Sequence, residues 1–134
     1  MTFHLQIVTP DGLAFEGEAD KISVRTQEGI IGILARHIDY VAPLGMGEAV
    51  ITVDGNPLRA ACIGGMVAVQ NGAVRLVATT FEWAEDIDLE RAREAEQRAR
   101  EILSRENLSE RDLKLAEARL HRALVRQAVG ERKK

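Results

Sequence analysis

The segment 87–92, with the sequence IDLERA, carries the side chains whose chemistry is clearest. Asp88 precedes Arg91 by three residues, and side chains at that spacing lie on the same face of a helix and can form a polar clamp. Further arginines follow at Arg98, Arg122 and Arg126. A second helix that folds back on the first would gather these arginines into a cationic pocket. The pattern therefore predicts a tail that closes on a small anion, or opens towards a partner.

The charge of the chain divides at the same segment. The net charge of the 134 residues is -3, but residues 1–86 carry 11 acidic and 5 basic side chains, whereas residues 87–134 carry 10 acidic and 13 basic ones. Such a division indicates two functional halves. The acidic first half argues against a nucleic-acid surface there. The second half mixes both signs too closely for a simple binder of phosphate backbones.

The first half has the pattern of short strands separated by turns. Apolar residues alternate with polar ones from Phe3 onwards, and Ile22 and Val24 face away from their polar neighbours. Turn signals occur at 9–12 (TPDG), 54–56 (DGN) and 71–72 (NG). Many short strands with frequent turns predict an antiparallel β-sandwich or barrel over residues 1–85.

After Glu85 the apolar period becomes helical. Asp86 or Asp88 can cap a first helix, and Ser109, with Asp112 three residues later, marks the start of a second. Helices joined by so short a loop lie antiparallel, so residues 86–134 are predicted to form a helical hairpin. Its apolar stripes are rich in alanine and bury little area, so we expect the two helices to associate weakly and to separate without unfolding the first half.

Other features of the sequence restrict the classes of function. Cys62 is the single cysteine and is predicted to be a buried small hydrophobe. The histidines, among them the loop residue His37, do not have the spacing of metal ligands. No apolar run approaches the roughly 20 residues that span a bilayer, so no direct membrane insertion is expected.

Several short motifs give the chain a resemblance to a known family. They are VTPDG at 8–12, GILARH at 32–37, VAPL at 41–44, the glycine pair at 64–65 and the helical tail. In this order and spacing they resemble the epsilon subunit of bacterial rotary ATP synthases, over essentially the whole chain. The resemblance implies a β-sandwich of about ten strands followed by two helices. Family members usually have proline where Ala35 stands, and often where Asp39 stands, so a freer loop is expected here.

The resemblance also implies a ligand and its site. Some family members bind ATP on the folded helices through an Ile/Leu-Asp-x-x-Arg-Ala pattern that this chain matches. The implied ATP-binding residues are Glu82, Ile87, Asp88, Arg91, Ala92, Arg98, Arg122 and Arg126. The arginines suit phosphates because the planar guanidinium donates paired hydrogen bonds, and the carboxylates can accept from adenine or ribose. Because no Gly-x-x-x-x-Gly-Lys-Ser/Thr pattern occurs, ATP is expected as a regulatory ligand that is bound without hydrolysis, with no catalytic cofactor. Whether Mg²⁺ accompanies ATP stays open.

The family further implies a non-catalytic rotor subunit at the cytoplasmic face of the bacterial membrane, held there peripherally by its partners. The sandwich would couple the gamma subunit to the c-ring. The helices would restrain ATP hydrolysis by reaching the catalytic beta subunits, and the alpha subunits, when extended. Two alternatives from other classes are a free-standing sandwich adaptor whose basic hairpin binds nucleic acid, and a small hydrolase. Steep salt dependence of DNA binding would favour the adaptor, and turnover by the isolated chain would favour the hydrolase.

Overall fold

The structure, a computed structural model, describes residues 1–132. The chain divides into two compact units, and the boundary along the sequence lies between Trp83 and Ala84. The sequence pattern placed this boundary two residues later, between 85 and 86. Within the described residues the first unit contains the strands β1 (Phe3–Thr9), β2 (Gly12–Ala19), β3 (Lys21–Thr26), β4 (Gly29–Leu34), β5 (Tyr40–Pro43), β6 (Met46–Val53), β7 (Asn56–Gln70) and β8 (Ala73–Trp83). The second contains a 3₁₀ turn (Ala84–Asp86) and the helices α1 (Leu89–Leu103) and α2 (Glu110–Glu131).

The eight strands form one hydrogen-bonded sheet with the order β2-β1-β8-β7-β6-β3-β4, and β5 also pairs with β7. As predicted, the pairing is mainly antiparallel. The pair β1–β8 runs parallel, with Leu5 opposite Val74 and Ile7 opposite Leu76. Parallel strands need a long connection, and here that connection is the sequence from β2 to β7.

Strand β7 is 15 residues long and changes partner halfway. Its first part pairs with β6 and its second part with β5, while β8 runs along its other side. The change falls at Gly64 and Gly65, which have positive φ angles of 71° and 109°. A Cβ atom at Gly65 would lie 1.9 Å from the carbonyl oxygen of Val77, so β7 and β8 approach each other too closely here for any side chain. If β7 and β8 are each counted as two segments, the eight strands become the expected ten.

A single core fills the inside of the folded sheet. Strands near both ends of the strand order contribute fully buried side chains to this core. Examples are Leu5 of β1, Ile22 of β3 and Ile33 of β4. Along β1 the burial alternates as predicted, with Phe3, Leu5 and Ile7 inside. The sheet therefore closes on itself as a sandwich around bulky aliphatic side chains.

Two predicted hairpin turns are present. Asp54 and Asn71 have φ angles of 51°, and each precedes a glycine that also has positive φ, which is the conformation favoured in two-residue hairpin turns. The turn at Asn71 also contacts a residue from another loop. The Asp39 carboxylate accepts a hydrogen bond at 3.0 Å from the backbone N–H of Asn71. A proline at position 39 could not make this contact, so the aspartate ties its loop to the β7–β8 turn.

Both helices begin at the predicted caps. The Asp88 carboxylate accepts from the backbone N–H of Arg91, and the Ser109 hydroxyl accepts from that of Asp112, each at 3.1 Å. The buried residues of the two helices are small: Ala92, Ala99, Ala116, Ala123, Val129 and Gly130. In residues 1–132, no helix has both the length and the apolar character needed to span a bilayer.

Candidate functional site

The two helices enclose a cavity of about 280 Å³ within the second unit. Its floor is apolar and its rim is cationic. The apolar residues are Ala95, Ala99, Ile102 and Ala123, and the cationic ones are Arg98, Arg119, Arg122 and Arg126. Four guanidinium groups around a small apolar floor form a site suited to a multiply charged anion with a less polar portion.

A second cavity, of about 370 Å³, lies on the N-terminal half of α1. It is lined by Asp88, Glu90, Arg91, Glu94 and Arg98. The two cavities therefore share Arg98. One is dominated by arginines and the other by carboxylates, so together they offer donors for phosphate and acceptors for hydroxyl or amino groups.

The carboxylate of Asp88 is positioned by the start of α1. It caps the helix through the backbone N–H of Arg91, and not through the Arg91 guanidinium that the sequence analysis expected as its partner. The backbone contact fixes the carboxylate at the helix N-terminus, where the helix dipole favours negative charge. The Arg91 side chain remains available to line the second cavity.

Contacts between the helices define their register. Gly130, near the end of α2, packs against Ile87 and Leu89 at the start of α1: a Cβ atom at Gly130 would lie 2.7 Å from Cδ2 of Leu89. Nη2 of Arg93, on α1, lies 3.8 Å from Oε1 of Glu131, on α2. The helices are thus antiparallel, as predicted, with Asp88 at the open end of the hairpin and the segment 104–109 at its loop end.

A polar contact crosses the helix pair beside the first cavity. Gln127 of α2 donates a hydrogen bond at 2.7 Å to Oε1 of Glu96 on α1, and Arg100 donates at 2.7 Å to Oε2. These hydrogen bonds, that from Gln127 first, lower the pKa of the Glu96 carboxyl. Gln127 is the neighbour of Arg126, so this contact fixes the part of α2 that carries one of the cavity arginines.

The predicted site residues fall into three groups. Arg98, Arg122 and Arg126 line the first cavity, and Asp88, Arg91 and again Arg98 line the second. Ile87 and Ala92 are buried and line neither cavity. Glu82 lies on β8 of the first unit, opposite Ala61 of β7. Its participation in a site with the helix residues stays a prediction.

Arg119 is a cavity residue that the sequence analysis missed. Its spacing from Arg122 and Arg126, three and seven residues, is the signal that points to it, since such positions share a helix face. In the part of the chain that the structure describes, the side chains of Arg98, Arg119 and Arg122 form no ion pair with a carboxylate. Their guanidinium groups can therefore bind an anion without first breaking an ion pair.

Two side chains with reactive chemistry, Cys62 and His37, lie outside the two cavities and have contacts typical of structural residues. Cys62 is buried as predicted, and its burial raises the pKa of the thiol to about 12. His37 donates through Nδ1 to the carbonyl of Ile38 at 2.7 Å and packs its ring edge-on against Tyr40. Among residues 1–132 there is no group of three or more histidine, cysteine, aspartate and glutamate side chains arranged to hold a metal ion.

The fold and the cavities define a class of protein with a β-sandwich unit and a helical hairpin that carries an arginine-lined cavity. Two sequence families match these units. The family described as "ATP synthase, Delta/Epsilon chain, beta-sandwich domain" matches residues 2–84, and that described as "ATP synthase, Delta/Epsilon chain, long alpha-helix domain" matches residues 85–130. The chain therefore belongs to the ATP synthase delta/epsilon chain family, as the sequence motifs predicted.

Curated relatives extend over the same length. The ATP synthase epsilon chain of Shouchella clausii is 40% identical over 132 residues, which cover 98% of this chain and 97% of the relative. That of Halalkalibacterium halodurans is 42% identical over 131 residues, covering 98% of both chains. These matches identify the function of the chain as that of an epsilon subunit of ATP synthase.

A solved structure supports the fold. A chain in the cryo-EM structure of the Euglena gracilis mitochondrial ATP synthase (OSCP/F1/c-ring) matches with a TM-score of 0.84 and 24% identity, covering 95% of this chain and 80% of that one. A likeness at this level of identity concerns the arrangement of the backbone, and it agrees with the sandwich and two helices found here.

Proposed function

We propose that the helical hairpin binds ATP and that this binding regulates the ATP synthase of which the chain is a subunit. The observation that carries the proposal is the pair of cavities joined at Arg98. The arginine-rimmed cavity suits the phosphates, because guanidinium groups bind phosphate oxygens in pairs. The second cavity suits the ribose and adenine, because Asp88 and Glu90 are acceptors for hydroxyl and amino groups.

The bound nucleotide stabilises the folded hairpin because it contacts both helices at once. Arg98 comes from α1, whereas Arg122 and Arg126 come from α2. A ligand that binds the closed hairpin and not the open one shifts the equilibrium by its differential affinity. At an ATP concentration tenfold above the dissociation constant, that shift is about 1.4 kcal/mol. ATP therefore favours a compact hairpin, and its depletion favours an extended one.

In the assembled enzyme, the sandwich couples the gamma subunit to the c-ring in the central stalk, and the extended helices reach the catalytic beta subunits and the alpha subunits. The relatives are named ATP synthase epsilon chains, and the Euglena structure holds F1 and a c-ring. The subunit itself is non-catalytic and lies peripherally at the cytoplasmic face of the bacterial membrane through these partners. The extended form restrains ATP hydrolysis, and the compact form releases it.

Titration calorimetry of the full chain with ATP, combined with phosphate-release measurements, tests the binding. We expect reversible binding without phosphate release. Arg91→Ala and Arg126→Ala should each weaken binding by about 1.5–3 kcal/mol, or roughly ten- to a hundredfold, because each removes charge-assisted hydrogen bonds. The Asp88 cap should survive Arg91→Ala, since it uses the backbone N–H.

Arg111→Ala is the matched control, because Arg111 is an exposed arginine of α2 outside both cavities. It should leave the affinity nearly unchanged. The absence of any binding heat at millimolar ATP, or sustained phosphate release from the pure protein, would contradict the proposal. Equal affinities of wild type and both cavity variants would remove Arg91 and Arg126 from the site.

A further inference from the structure

The arginines of the first cavity are arranged in a row along α2. Arg119, Arg122 and Arg126 lie three and four residues apart on one helix face, and all three line the cavity with Arg98. Arg122 and Arg126 are half-buried, whereas Arg119 is exposed. At about 1.5 Å per residue, the row extends roughly 10 Å along the helix axis.

The row has a direction relative to the second cavity. Asp88 lies at the open end of the hairpin, where Gly130 packs on Leu89. Moving along α2 from that end, Arg126 comes first, then Arg122, and Arg119 is the nearest of the three to the loop. Ile102, on the last turn of α1, lines the cavity at the same end as Arg119. Arg119 is therefore the cavity arginine of α2 farthest from the carboxylates of the second cavity.

We propose that Arg119 binds the terminal phosphate of the nucleotide and makes the hairpin selective for a triphosphate over a diphosphate. This inference rests on the proposed ATP site. When the ribose and base occupy the carboxylate end, the phosphate chain extends towards the loop end. The inner phosphates then lie between Arg98, Arg122 and Arg126, and the last phosphate reaches Arg119. A diphosphate with the same base position ends before Arg119.

The surroundings of Arg119 suit this role. In the described residues its guanidinium has no carboxylate ion pair to break before it binds a phosphate. Its exposure lets it reach a phosphate at the cavity mouth without displacing buried side chains. Because guanidinium donors act in pairs, the contact adds affinity when the third phosphate is present and little when it is absent.

Affinities of the full chain for ATP and for ADP, measured for wild type, Arg119→Ala, Arg122→Ala and Arg111→Ala, test the proposal. Arg119→Ala should weaken ATP binding about tenfold and leave ADP binding within about twofold, so that the ATP/ADP preference falls by the same factor. Arg122→Ala should weaken both nucleotides. Arg111→Ala removes the same charge from an exposed position outside the cavities and should change neither.

The outcomes separate the two proposals. If wild type binds ATP but Arg119→Ala weakens ATP and ADP equally, or weakens neither, the role of Arg119 is overturned while the ATP site stands. If wild type binds neither nucleotide, both proposals fail. A circular dichroism spectrum equal to that of wild type verifies that each variant keeps its helices, and Arg119→Lys, which keeps the charge but not the paired donors, should recover part of the preference.

Discussion

The sandwich and the hairpin bury different kinds of side chain. In the sandwich, bulky aliphatic residues such as Leu5, Ile51 and Leu76 are completely buried. In the hairpin, the contact between the helices is made mainly by alanines, and leucines such as Leu113 and Leu124 stay 39% exposed. Apolar burial stabilises by about 25 cal/mol per Å². A contact built from methyl groups therefore holds the helices far less strongly than the core holds the sandwich.

This difference suits two different tasks. A well-filled core would keep the sandwich in one conformation in its proposed role of coupling the gamma subunit to the c-ring. In the proposed regulation, a small interface between the helices would let them separate at a low free-energy cost, so that bound ATP would shift the balance between closed and open forms. The proposed sensitivity to ATP would be increased by Arg98, Arg119 and Arg122, because the closed hairpin holds these like charges at one cavity and a bound anion would offset their mutual repulsion.

Removing the hairpin should produce the largest effect. A chain that ends at Glu85 should keep the sandwich fold, lose ATP binding completely and assemble into an enzyme whose ATP hydrolysis at low ATP is no longer restrained. The reason is that the cavities lie entirely in the second unit. Hydrolysis rates of complexes with the full and the shortened chain give the measurement. Equal rates at equal assembly would show that the helices do not regulate this enzyme, and an unfolded short chain would refute the independence of the sandwich.

Truncation of a core side chain should destabilise the sandwich strongly. Leu76→Ala should lower the free energy of unfolding of the sandwich by about 2–5 kcal/mol, because it removes a fully buried side chain and leaves a cavity. Val77, next along β8, is 44% exposed and provides the control. Val77→Ala should lower the free energy by less than about 1 kcal/mol. Denaturant unfolding followed by tryptophan fluorescence distinguishes the two, and equal losses would contradict the assignment of this core.

A larger side chain at the helix contact should loosen the hairpin alone. Gly130→Leu should destabilise the closed hairpin by about 1–3 kcal/mol, because its Cβ would lie 2.7 Å from Cδ2 of Leu89 and 3.0 Å from Cγ2 of Ile87. Amide hydrogen exchange should show faster exchange in the helices and unchanged exchange in the sandwich. Ala128→Leu adds a comparable side chain at an exposed position of the same helical turn. It should leave amide exchange unchanged in both the helices and the sandwich. Faster exchange in the sandwich would show that the units are not independent.

The smallest effect concerns pH. The hydrogen bonds from Gln127 and Arg100 lower the pKa of Glu96 from its ordinary value of 4.5. Because the pKa of the folded state is depressed, this stabilisation is fully present above the ordinary value and is lost as the pH falls through the lowered one. Acidification below about pH 4.5 should therefore loosen the helix contact in wild type. Helix signals in NMR spectra should show this loss in wild type and in the exposed control Glu117→Gln, but to a smaller extent in Glu96→Gln.

Much of the local structure could be predicted because its causes lie within a few residues. Alternating apolar residues produced β1, the Asp54 and Asn71 positions adopted the positive φ angles that two-residue turns require, and Asp88 and Ser109 capped the helices. The site was predicted in part. The family pattern pointed to Arg98, Arg122 and Arg126, which the helices bring to one cavity, but it gave no indication of Arg119.

The sequence by itself determined the order and type of the elements, their caps and turns, and the charge of each half, since these depend on neighbouring residues. Tertiary structure alone decided the parallel pairing of β1 with β8 and the close approach of Gly130 to Leu89. It also brought Arg119 and Ile102 to the lining of the same cavity. Those features depend on which distant segments meet, and that is set by packing across the whole unit, which no local pattern of residues records.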